Sequence, residues 1–190
     1  MKNIFIGFIC LISALLIPIS ANAKGNVRID SDFQVLEFNS ISSEYLPRPT
    51  FLELVIKNKG KQNLLIKTDF IHKGEYAYLN KGLDFIPLKL KYVEDYIAAV
   101  EKYLKWQAVA SKDRDIFTKE ISKVKSVKFS FASGNSKDHY FIFENCVVAC
   151  TTERYVLDYI GAQKFLKLLN KWKSGQLSTT TKSEIDDKYK

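Results

Sequence analysis

Histidine and arginine are scarce in this sequence, and long apolar runs are missing after residue 23. The only histidines are His72 and His139, so a metal site would have to borrow most of its ligands from elsewhere. Of 29 basic residues only Arg28, Arg48, Arg114 and Arg154 are arginine. The planar guanidinium fork favoured for specific phosphate and nucleic-acid recognition is therefore thin, and no arginine-rich block exists. No nucleic-acid partner is expected. Beyond residue 23 no apolar stretch approaches the roughly 20 residues needed to span a bilayer. Also missing are a Gly-x-Ser-x-Gly elbow, a phosphate-cradling glycine-rich loop and a His-Glu-x-x-His helix, the compact signatures of acyl transfer, nucleotide binding and zinc hydrolysis. No cofactor is implied.

What is present begins with a leader. Lys2 gives a positive start, residues 4–19 are almost continuously apolar, and Ala21-Asn22-Ala23 has the small-x-small form that a signal peptidase accepts. Cleavage between Ala23 and Lys24 is expected, with delivery to the periplasm or the exterior. Cys10 leaves with the leader. The remainder, with 46% apolar and 13% aromatic residues in the whole chain, has enough apolar material for one domain with a core. The formal charge is +8, and loss of Lys2 lowers it by one. Such an excess admits anionic partners, although the lysines are spread along the chain and read first as a solvated surface.

Cys146 and Cys150 are the thiols that remain. In an oxidising compartment they are expected to form a disulfide that pins a tight turn. A redox-active pair usually has two intervening residues and a helix-start thiolate, and a metal site needs further ligands. Both stay as the weaker alternatives.

The apolar pattern predicts an α+β fold with antiparallel sheet and two main helices. Residues 27–38 read as strand, 39–50 as loop, and 51–57 with 63–67 as a hairpin around Asn58-Lys59-Gly60. Residues 70–81 read as a glycine-containing connector with a short strand at 76–79, and 87–91 as a strand. A helix is predicted over 93–110, because Val93, Ile97, Val100, Leu104 and Ala108 recur at helical spacing behind Glu94 and Asp95. Residues 116–123 fit strand or loop equally. A second hairpin is expected from 127–131 and 140–143, then a strand at 154–157. Asp158 can cap a helix whose apolar face is Ala162, Phe165, Leu166, Leu169 and Trp172, ending at Gly175. Residues 92–99 match residues 155–162 at six of eight positions, which suggests a duplicated hairpin-strand-helix unit with halves 24–111 and 112–176. A disordered polar tail is expected over 177–190.

For function, the hairpin loop Ser133, Gly134, Asn135, Lys137 and His139 is the candidate binding surface, beside the turn at Cys146 and Cys150. Ser133 with His139 can be drawn as a catalytic pair, but serine and glycine are ordinary loop residues. Glu94, Asp95 and Glu101 can be drawn as glycosidase acids, yet on a helix they balance the dipole and Lys102 and Lys105. The aromatics Tyr92, Tyr96, Tyr103, Tyr155, Tyr159, Trp106 and Trp172 suit packing better than a sugar platform. Lys164, Lys167, Lys171 and Lys173 give the last helix a basic face, read as solvated. The leading expectation is an exported non-catalytic binding or accessory protein, of the inhibitor or immunity type, with a protein or envelope component as partner. The alternatives are an enzyme acting on an envelope polymer and a binder of anionic lipid or surface.

Overall fold

In the computed structural model the described residues are 25–39, 41–57, 60–73, 79–112, 116–134, 137–146 and 150–180. The leader expected over residues 1–23 lies outside them. Two antiparallel sheets and two helices form an α+β fold, as the apolar patterning predicts. The strands are β1 (Gly25–Ile29), β2 (Leu36–Asn39), β3 (Glu44–Pro47), β4 (Thr50–Ile56), β5 (Gln62–Lys73), β6 (Leu79–Lys89), β7 (Phe117–Val124), β8 (Val127–Ser133), β9 (His139–Cys146), β10 (Cys150–Leu157) and β11 (Thr179–Thr180). Their orders are β11-β1-β4-β5-β6 and β3-β2-β10-β9-β8-β7. Helix α1 is Val93–Ala110 and α2 is Tyr159–Lys173.

Period-two alternation decides each sheet's buried face. In the five-stranded sheet the register rows Ile29, Leu52, Ile66, Ile86 and Leu54, Leu64, Leu88 face the core. In the six-stranded sheet the inward residues are aromatic: Phe129, Phe131, Phe141, Phe143 and Tyr155 are all buried. Helix α1 lays Tyr96 against Phe129 and Tyr103 against Phe131 and Phe141. Helix α2 sets Phe165 against Phe33, Phe141 and Phe143. The two sheets share one core: the Tyr155 hydroxyl donates to the Ile66 carbonyl at 3.3 Å, and Trp172 Nε1 donates to Gln62 Oε1 at 3.1 Å.

Both helices begin and end where the sequence places them. Asp158 accepts the Gly161 N–H at 2.7 Å, and a β-carbon on Gly161 would meet that carboxylate oxygen at 3.1 Å. The end of α2 is closed by Gly175 at φ +71°, with Gln176 N donating to Lys171 O, which is the glycine-dependent C-terminal motif.

Several expectations are corrected. The strand expected over 27–38 is two strands in different sheets, because Phe33 and Val35 leave the ladder and anchor the crossing in the core. The loop expected over 39–50 contains β3, where Pro47 ends an edge strand and its missing N–H costs nothing. The connector at 70–81 is a continuation of the β5–β6 ladder, and residues 74–78, which hold part of the short strand expected there, lie outside the described residues. At the start of the expected polar tail, Leu177 packs on the core and β11 pairs with β1. The remaining tail lies outside the described residues. The likeness of 92–99 to 155–162 does not carry over residue by residue. α1 starts at Val93, whereas Val156 and Leu157 are still strand; Tyr96 is buried, whereas its counterpart Tyr159 is exposed.

Candidate functional site

The β4–β5 turn, the end of β6 and the 3-10 turn Leu90–Tyr92 meet at one end of the five-stranded sheet. There they line a pocket of about 580 Å³ with Lys57, Gly60, Lys61, Gln62, Asn63, Lys89, Leu90 and Lys91. The fold gathers these lysines from distant sequence positions. Lys57 N donates to Lys61 O at 2.8 Å to close the turn, with Gly60 at φ +70°. The Asn63↔Lys89 register pair then brings Lys89 alongside. All four lysines are exposed, none forms an ion pair among the described residues, and the lining contains no carboxylate.

The uncharged lining adds a donor. Trp172 Nε1 can only donate, so the Gln62 atom it meets must be oxygen, which leaves the Gln62 amide N–H₂ as that side chain's other end. The Tyr92 phenol is held below its ordinary range chiefly by a hydrogen bond from Lys91, which burial opposes, and in smaller part by the charges of Lys125, Lys91 and Lys89. Lys91 and Lys125 also sit over its ring at 4.7 and 5.8 Å. An anion is favoured here for the same reason that the phenolate is.

A second pocket, of about 450 Å³, runs between α1 and the edge strand β7, lined by Tyr92, Asp95, Ala98, Lys102, Lys123 and Lys125 among others. A bulge between Glu120 and Ser122 shapes its wall. Lys102 Nζ donates to the Ile121 carbonyl at the bulge at 3.0 Å. The two pockets share no lining residue among the described residues, although Tyr92 of the second follows Lys91 of the first in the chain.

The residues singled out from sequence are distributed otherwise. Ser133 and His139 are register partners at the ends of β8 and β9, both buried, with Ser133 Oγ 3.2 Å from His139 Nδ1. His139 stacks on Phe131, its carbonyl accepts from Tyr103, and its Nε2 has no partner among the described residues. The pair forms, but it lines neither pocket. Gly134 and Lys137 are exposed, and Asn135 lies outside the described residues. The register sets Cys146 opposite Cys150. Glu94 pairs with Lys173 at 2.6 Å, tying the start of α1 to the end of α2, while Lys164 pairs with Asp32 at 3.0 Å. That bond from Lys164 is the main cause holding the Asp32 carboxyl below its usual range. Tyr96, Tyr103, Tyr155 and Trp172 are core residues. Among the described residues no group of three or more His, Cys, Asp or Glu is placed to hold a metal, and no helix is long and apolar enough to cross a membrane.

Sequence reasoning missed Lys57, Lys61, Lys89 and Lys91. The readable signal was the pair of lysines flanking the Asn58-Lys59-Gly60 turn; the approach of β6 was not readable. The chain matches no protein-family model, no curated protein and no solved structure.

Proposed function

We propose that the chain is an exported, non-catalytic binding or accessory protein of the bacterial envelope or its surroundings, and that it receives an anionic partner at the lysine-lined end of the five-stranded sheet. The observation that carries this reading is the roughly 580 Å³ pocket whose described lining residues include four lysines and no carboxylate. Uncompensated like charges repel one another, and without a counter-charge they weaken the fold slightly. A ligand of opposite charge bound in the concavity would neutralise them. Export by residues 1–23 and a Cys146–Cys150 bridge belong to the same proposal. The bridge is supported by the register that sets the two residues face to face.

The test is calorimetric titration with inorganic polyphosphate at rising salt. Affinity is expected to fall steeply with salt, and Lys57→Gln with Lys61→Gln and Lys89→Gln together to weaken it about a hundredfold, at about 1 kcal/mol per charge. Salt-independent binding, or a triple variant that binds like the parent, would falsify the reading.

A further inference from the structure

The lysine pocket is one border of a larger surface, the solvent-facing side of the five-stranded sheet. Its register rows are Phe51, Lys67, Phe85; then Arg28, Glu53, Leu65, Pro87; then Asn26, Val55, Asn63, Lys89; and finally Lys57 beside Lys61. Alternation puts all of them opposite the core-facing leucines and isoleucines. Phe85 is 51% exposed and Phe51 37% exposed, with Leu65, Val55 and Pro87 half-buried between them and the lysine end. Arg28 lies over the Phe51 ring at 5.6 Å. The one carboxylate in these rows, Glu53, is neutralised by Lys67. These rows therefore offer apolar and aromatic surface framed by cations, and Glu53, the carboxylate among them, is paired.

Resting on the anion-binding reading, we propose that its partner is an anionic lipid bilayer, which the outer face of this sheet docks against. Phe51 and Phe85 enter the boundary between headgroups and acyl chains, where aromatic rings partition well. Arg28, Lys57, Lys61 and Lys89 meet the lipid phosphates, each adding attraction that decays within a Debye length. A soluble polyanion would engage the lysines alone. A bilayer uses both halves of the face at once.

The test expresses the full chain, recovers the form its host exports, and sediments it with vesicles of phosphatidylcholine alone or mixed with phosphatidylglycerol. The protein is expected to sediment with the anionic vesicles only and to be released by salt. Phe51→Ser with Phe85→Ser should lower vesicle partitioning about tenfold or more, while polyphosphate affinity stays at the parent value. Unchanged near-ultraviolet dichroism reports that this variant is folded. Polyphosphate binding without vesicle sedimentation, or vesicle binding indifferent to the two serines, overturns the bilayer inference and leaves the anion-binding reading standing. If the parent binds neither polyphosphate nor vesicles, both fall.

Discussion

The outward faces of the two sheets use the same basic residue types for opposite purposes. On the six-stranded sheet Lys128 and Arg154 flank Glu144, at 2.5 and 3.5 Å, and the carboxylate between them is buried. Those cations serve the fold, because removing the acid from water is tolerable only when it is paired. On the five-stranded sheet Lys57, Lys61 and Lys89 have no carboxylate to serve among the described residues. A lysine count cannot separate these roles. The identity of the register partner can.

The comparison assigns stability to the six-stranded sheet and binding to the five-stranded one, and substitutions should respect that division. The largest effect is expected for Phe143→Ala, which empties a site stacked on Phe165 at 5.4 Å and edged by Tyr155. It should cost about 3–5 kcal/mol in urea unfolding, whereas Phe85→Ser on the other sheet's outer face should cost about 1 kcal/mol or less. Next is Glu144→Gln, expected to cost about 1–3 kcal/mol by weakening a buried charge-assisted pair. Lys89→Gln should stay within about 0.5 kcal/mol while reducing polyphosphate affinity; equal stability losses in the two would break the division. The proposed Cys146–Cys150 bridge would close only a small ring, so Cys146→Ser should cost about 2 kcal/mol or less. Mass spectrometry of the unreduced parent should find no free thiol in the exported form.

A further effect concerns alkaline pH. Burial raises the Tyr103 phenol well above its ordinary value, with smaller contributions from Asp158, Tyr140 and Tyr159, and the hydroxyl donates to the His139 carbonyl at 2.9 Å. A raised folded value means that the unfolded chain ionises first. Stability from this group is complete below about pH 10 and declines as pH climbs further. Tyr103→Phe should cost about 1 kcal/mol at neutral pH and make the alkaline decline shallower. It does not abolish the decline, because Tyr96 and Tyr140 are raised in the same direction by burial.

What the sequence made legible follows from local physics. Helix α1 was readable from a single apolar stripe, and α2 from Asp158 at one end and Gly175 at the other. The hairpins β4–β5 and β8–β9 were readable because alternating runs flank polar turns. Long-range pairing was not. Nothing local reveals that residues 36–47 cross to the second sheet, that β5 and β6 form one long ladder, or that Thr179–Thr180 returns to β1. The site was hidden for the same reason. Lys57, Lys61, Lys89 and Lys91 look evenly scattered until the β5–β6 register brings them together, while Ser133 and His139, neighbours of a readable loop, turn inward because both sit at core-facing strand positions.

Lysine labelling read by mass spectrometry tests the central claim where it is made. With polyphosphate present, acetylation of Lys57, Lys61, Lys89 and Lys91 should slow together, while Lys128 and Lys164, already engaged by carboxylates, should keep their rates. Uniform slowing across all six, or protection confined to Lys128 and Lys164, would contradict the account.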